Sequence, residues 1–280
     1  MKITPLNAVG AEVTEVDVKT LTDGQDVQLK TAFAHHGLLI FRGQDLAETD
    51  HLALAERWGQ VNTNRFFKAH SDYPQIAMVE KEPDQQENIG GGWHTDHSYD
   101  QIPALGSILV ARVLPETGGD TWFASMYRAF DQLSDGLKTV LLTLNAVHSA
   151  KHVFGNQSEY MQKNISQARM GRPDLADALP DPIHPVVVRH PLSGRPVLYV
   201  NPGFTLRFEG WTQEESAPLL NDLYQSAVAE DQVERVDWQP GTIAFWDNRA
   251  TWHFAQNDYQ GQSRRMHRIT IEGGPLQAYQ

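Results

Sequence analysis

No cysteine occurs in the 280 residues. That absence excludes disulfides, a thiolate nucleophile, iron–sulfur clusters and cysteine-ligated zinc. Any metal must sit on His, Asp or Glu, donors that favour harder or borderline ions. Positive charge is also scarce. The chain has 23 Lys and Arg against 35 Asp and Glu, a formal −12 that predicts no nucleic-acid partner. Long apolar runs are missing too. No stretch approaches the ~18 apolar residues of a membrane span, and residues 1–10 lack the basic start and apolar run of a signal peptide. These absences predict a cytoplasmic chain with no membrane partner. The 40% apolar and 21% charged fractions are those of a globular protein. At ~150 residues per domain two domains are conceivable, but all-β barrels often reach 200–250 residues as one, and one domain over 1–280 is expected.

The pattern along the chain predicts a mixed first third and a mainly β interior. Leu21–His36 has helical spacing and stops at Gly37, Leu38–Phe41 reads as a short strand, and Glu48–Trp58 as a second helix. Glu80–Gly92 is a polar loop ending in three glycines, and Ala104–Val113 is strand-like. Tyr127–Leu144 predicts two short helices split near Ser134–Gly136. Gly155–Pro185 is polar, proline-studded and only weakly helical, the pattern of a mobile lid or insertion. Val186–Arg189 and Val197–Val200 suggest a hairpin. Thr212–Glu215 has the form of a capping box, opening a helix that runs to about Glu230. Thr242–Trp246 and Arg268–Ile271 are the last strands. Short strands and turns fit a closed or sandwiched antiparallel core better than a βαβ sheet.

Chemistry-bearing residues fall at three places. In an extended segment His94 and Asp96 point the same way, so they could grip one ion while Thr95 faces away. Such a triplet arises often by chance, and two ligands do not make a site. His253, just beyond an apolar strand, is the candidate third ligand, although Trp252 and Phe254 also suit it to a core position. Two His and one carboxylate on one face of an octahedron leave three open positions, the pattern of non-haem Fe(II) oxygenases. Eleven residues on, Arg264 could hold a carboxylate in the bidentate geometry that lysine cannot supply. Strand alternation puts Arg264, Met266 and Arg268 on one face and Arg265 and His267 on the other, with the two same-face arginines ~13 Å apart. Two inward cations could hold two separate anions. A solvated basic patch would be the alternative.

As an ordered set, Trp93-His94-Thr95-Asp96, Pro115-x-x-Gly118-Gly119-Asp120-Thr121, Trp246-Asp247-Asn248-Arg249 and the Arg264–Arg268 cluster resemble the TauD/TfdA family of Fe(II)- and 2-oxoglutarate-dependent dioxygenases. The resemblance runs from Gly10-Ala11-Glu12-Val13 to Ile271. It implies a double-stranded β-helix, or jelly roll, with peripheral helices. It implies His94, Asp96 and His253 as iron ligands, and Arg264 with Thr121 on the distal carboxylate of 2-oxoglutarate. Arg268 resembles the position that pairs with an anionic substrate group. The implied reaction consumes O2, converts 2-oxoglutarate to succinate and CO2, and hydroxylates the substrate. A dimer or tetramer is common in the family.

For the substrate, Asn201–Arg207 resembles the stretch that supplies a pocket phenylalanine, here Phe204. Asn64 and Phe67 stand where taurine enzymes carry a His and a Tyr, which predicts a more apolar pocket. His152-Val153-Phe154-Gly155 resembles aryloxyalkanoate-cleaving relatives, although Phe154, Phe204 and Phe67 suit a core equally well. The expected substrate is a small organic anion (sulfonate, alkyl sulfate, or aryloxy or alkyl carboxylate). Taurine dioxygenase proper is the first alternative. A jelly-roll metalloenzyme or binding barrel that uses no 2-oxoglutarate is the second.

Overall fold

The computed structural model describes residues 1–280. Its frame is an eight-stranded sheet in which Ile243–Asp247 lies between Leu38–Phe41 and Gly106–Val113, and Gly106–Val113 pairs in turn with Arg264–Ile271. All pairs are antiparallel except Ala11–Thr14 with Leu38–Phe41. A three-stranded sheet of Val233–Val236, Thr121–Ser125 and Thr251–Ala255 lies opposite. A second sheet of three strands and a hairpin complete a jelly roll with helices outside it.

Strand alternation explains why the central strands read as unbroken apolar runs. One set of side chains, Leu38, Ile40, Leu109, Ala244, Trp246 and Met266, packs with Phe123 and Val236 of the opposing sheet. The alternate set, Leu39, Phe41, Ile108, Val110, Ile243 and Phe245, packs under Leu29, Phe33 and Leu54 of the first two helices. Both faces are covered, so neither is polar. Arg264 and Arg268 share the face of Met266, which turns both guanidinium groups into the sandwich.

Several boundaries shift from the sequence expectation. The first helix spans Asp23–His36, with a Thr22–Gln25 capping box and Gly37 at φ +73° closing it. The second stops at Glu56 rather than Trp58, because the Trp58 ring turns onto Phe33 and Phe245 at centroid distances of 5.0 and 4.6 Å. The helix capped by Thr212 ends at Ala227, ahead of the 3-10 turn Glu230–Gln232. Within the hairpin, strand pairing covers Val187–Arg189 and Pro196–Leu198. Arg264–Ile271 is a longer strand than Arg268–Ile271, since Ala77–Lys81 pairs with its first half. Residues 155–185, weakly helical by pattern, form helices at Glu159–Ser166 and Pro173–Ala178, capped by Ser158 and opened by Pro173. No helix is long and apolar enough to cross a membrane.

Two stability predictions follow from this frame. A Cβ at Gly106 would lie 2.5 Å from the Trp246 carbonyl oxygen and 3.1 Å from Phe245, so Gly106→Ala must push the two central strands apart. Denaturant titration should show a loss of about 2–3 kcal/mol. His51 is fully buried with Nε2 at 3.3 Å from the Ile108 carbonyl, and burial, with Arg112 nearby, lowers its pKa to about 3. The unfolded chain therefore takes up a proton near pH 6.5 that the folded chain refuses, and stability falls as pH drops from about 6.5 towards 3. His51→Gln, which keeps an N–H donor but does not titrate, should flatten that decline by up to about 1.4 kcal/mol per pH unit.

Candidate active site

The strands holding the sandwich together deliver the functional side chains to one cavity of about 270 Å³. His94 and Asp96 do not lie on a regular strand. His94 makes a single bridge with His253, their backbones exchanging N–H···O bonds of 3.2 and 2.9 Å. The chain then turns at His97, whose φ is +63°. That bridge, rather than strand alternation alone, brings the two imidazoles to a centroid separation of 4.2 Å. Thr95 does turn away, its buried hydroxyl donating to the Asn248 carbonyl. Gly203 permits the close approach on the other side, since a Cβ there would meet the His94 Cβ at 2.7 Å.

The three side chains fit a metal ion. One donor atom from each of His94, Asp96 and His253 lies within 4.8 Å of the others. Nε2 of His94 is 3.7 Å from Asp96 Oδ1, and Nε2 of His253 is 3.8 Å from Oδ2. Nδ1 of His94 stands 2.8 Å from the Gly92 carbonyl, where only N–H can donate, so the lone pair resides on Nε2. Burial, reinforced by His94, holds the His253 pKa well below its usual range, leaving a neutral imidazole. Burial works against ionisation of Asp96, but nearby positive charge, the Arg268 guanidinium foremost, outweighs it and holds the carboxyl below the usual range. Asp96 is thus an anion, with Ser107 Oγ donating to it at 3.3 Å.

Arg264 is 4% exposed and makes no ion pair. Its Nε donates to the Gly119 carbonyl at 3.1 Å and its Nη2 to Thr121 Oγ1 at 3.5 Å. Gly119 sits at φ +76°, a conformation strained for any side chain, and a Cβ there would crowd the arginine stem at 3.2 Å. An unpaired buried guanidinium is costly unless an anion completes it. Arg268, equally buried, lies across the Phe67 ring at 4.5 Å, and its Nη1 is 3.1–3.2 Å from both Asp96 oxygens.

Phe67, Phe154 and Phe204 line the cavity together with Leu109, Tyr160 and Trp246. Asn64 does not. Its side chain accepts from the backbone N–H groups of Phe66 and Phe67 and closes the turn that presents Phe67. Two contributors carried no signal in the sequence. Tyr160 reaches the cavity from residues 155–185, and Trp238 donates its indole N–H to Thr121 Oγ1 at 3.0 Å. Both are single aromatics in polar segments, indistinguishable from packing residues by pattern. Glu48, His70 and His267 form a second cluster within 4.8 Å, on the opposite face of the Arg264–Ile271 strand. Arg112 already serves it as the cation, with Nε 3.1 Å from His267 Nδ1 and Nη2 3.5 Å from Glu48.

Residues 2–270 match the family model described as taurine catabolism dioxygenase TauD, TfdA family. An alkylsulfatase of Acinetobacter baylyi is 32% identical over 268 residues, covering 95% of this chain and 82% of that protein. A (S)-phenoxypropionate/alpha-ketoglutarate-dioxygenase of Sphingobium herbicidovorans is 32% identical over 278 residues, covering 98% and 95%. Among solved structures, a taurine dioxygenase from Burkholderia xenovorans superposes with a TM-score of 0.81 at 28% identity, covering 99% of this chain and 91% of that one. A match over nearly the whole length, with the ordered motifs converging on one cavity, means that the chain belongs to the TauD/TfdA family of dioxygenases.

Proposed function

We propose that the protein is an Fe(II)- and 2-oxoglutarate-dependent dioxygenase that hydroxylates a small organic anion with an apolar body (a sulfate ester, sulfonate or carboxylate). The observation that carries this reading is the pair of buried arginines in one apolar-walled cavity, Arg264 with no carboxylate partner and Arg268 paired only to Asp96. His94, Asp96 and His253 would hold the iron. When bound, Fe(II) with 2-oxoglutarate and O2 supplies the oxidation, the keto acid leaving as succinate and CO2 while an oxygen atom goes to the substrate.

The protein's own part is binding, orientation and exclusion of water. Arg264 and Thr121 anchor the distal carboxylate of the keto acid, so that its keto end faces the triad. Arg268 draws the substrate's anionic group beside Asp96, while Phe67, Phe154, Phe204 and Leu109 receive its carbon skeleton. Residues 155–185 act as the lid. Support comes from Tyr160, which lines the cavity together with Gly90, and from Arg169, which donates to the Glu87 carbonyl at 2.8 Å and fastens this segment to the glycine-rich loop. Water kept from the cavity strengthens each charge contact inside it. An alkyl sulfate or an aryloxy acid suits this wall better than taurine, whose ammonium finds no carboxylate other than Asp96 among the lining side chains. The names of the two curated relatives, one an alkylsulfatase and one acting on phenoxypropionate, agree with this choice.

Anaerobic addition of Fe(II) and 2-oxoglutarate should give a visible charge-transfer band, and His94→Ala should remove it. Succinate formation by His94→Ala with stoichiometric iron would overturn the triad. Succinate release across alkyl sulfates, sulfonates and aryloxy acids should identify the substrate class. For the best substrate, Arg268→Gln should raise KM roughly 100-fold, the scale of a lost buried charge pair, with the Kd for 2-oxoglutarate nearly unchanged. An unchanged KM would refute the role given to Arg268.

A further inference from the structure

The Thr121 hydroxyl has an unusual hydrogen-bond balance. A threonine hydroxyl offers one hydrogen and two lone pairs. Both neighbours of Oγ1 can only donate: the Trp238 indole N–H at 3.0 Å and the Arg264 guanidinium at 3.5 Å. The lone pairs are thus engaged, and the hydrogen meets no acceptor on the protein. Thr121 is 2% exposed, so the bulk solvent outside does not take that hydrogen either, and the residue lines the cavity beside Arg264.

The register makes this arrangement possible. Thr121 begins the central strand of the smaller sheet and pairs with Val236 on one side and Ala255 on the other. Trp238 follows Val236 by two residues, so the chain leaving that strand drops the indole beside the threonine. The same ring faces the Arg264 guanidinium at 5.7 Å. One aromatic side chain therefore touches both members of the proposed carboxylate anchor, its N–H on one and its face towards the other.

We infer that Trp238 is a positioning residue that turns the Thr121 hydroxyl hydrogen into the cavity, towards the distal carboxylate of the 2-oxo acid. Without the indole N–H the hydroxyl regains a free lone pair and a free rotor, and its hydrogen is no longer committed to the ligand. This inference rests on the proposed use of 2-oxoglutarate but concerns a residue with no part in holding the metal.

Calorimetry on the Mn(II)-loaded protein separates the two ideas, because it reads binding without turnover. Two probes are used, 2-oxoglutarate and pyruvate, which shares the 2-oxo acid head and lacks the distal carboxylate. Wild type should prefer 2-oxoglutarate, and equal binding of the two would overturn the reading of Arg264 and Thr121 itself. Trp238→Phe, which keeps an aromatic ring and removes the N–H, should weaken 2-oxoglutarate roughly tenfold, the scale of one charge-assisted hydrogen bond, and leave pyruvate unchanged. Thr121→Val should do the same, and the double variant should lose no more than either alone. If Trp238→Phe weakened both probes alike, or neither, or if the two losses added, Trp238 would have only a packing role and the inference would fail.

Discussion

The strand Arg264–Ile271 carries the constraint on which the rest depends: it turns two arginines inward, into a sandwich otherwise filled by leucine, tryptophan, phenylalanine and methionine. A guanidinium keeps its charge at any physiological pH, so it cannot escape burial by releasing a proton. Each charge must be answered locally. For Arg268 the answer is Asp96, together with the face of Phe67. For Arg264 it is a carbonyl, a hydroxyl and a tryptophan ring, none of them anionic. The second arginine is therefore polar-solvated but not neutralised, which suits it to a dianionic small molecule rather than to the fold alone.

The metal triad depends on the same strand at one remove. Asp96 is held as an anion chiefly by Arg268. His253 lies on a strand of the smaller sheet, against Trp246 of the larger one at 4.7 Å, so its ring position is set by packing between the sheets. His94 is tied to His253 by the paired backbone bonds and to Gly92 through Nδ1. The chain between Asp247 and Arg249 is fixed separately. The buried Asp247 accepts from Arg249 and from His190 Nε2 at 2.6–2.9 Å, a closed network beneath the strand that leads to His253. Rigid support of this kind is what a site needs if its groups are to meet a substrate without rearrangement.

The sequence made some of this legible and hid the rest for physical reasons. Alternation over Arg264–Arg268 is a local property of a strand, so the shared face of the two arginines could be read directly. The capping boxes at Thr22 and Thr212 were local as well, although only the second stood out as a motif. His94 and Asp96 were identified by a strand argument that the backbone does not follow, since the bridge to His253 depends on a partner some 160 residues away. Asn64 was assigned to the pocket because of its place in the chain, but an asparagine that bonds two backbone N–H groups ahead of it shapes a turn. Trp238 and Tyr160 could not be found, because an isolated aromatic carries no period and its neighbours are decided by strand pairing and helix docking. The helices within 155–185 were obscured by prolines, although Pro173 at a first helical turn favours the helix rather than breaking it.

The unpaired Arg264 also ties folding to ligand binding. A buried cation without a counter-ion raises the free energy of the folded state, and an anion that completes it lowers that energy by the same interaction it contributes to affinity. The ligand-free protein is thus less stable than its packing alone would give, and occupancy of the site should stabilise the sandwich, because Arg264 sits on the strand that links Ala77–Lys81 to Gly106–Val113 in the larger sheet. The net charge of −12 does not oppose this. Surface carboxylates are screened within about a Debye length, ~8 Å at physiological salt, whereas the inner arginines act at contact distance in a medium that screens them less. An acidic exterior and an anion-seeking interior coexist because they act over different ranges.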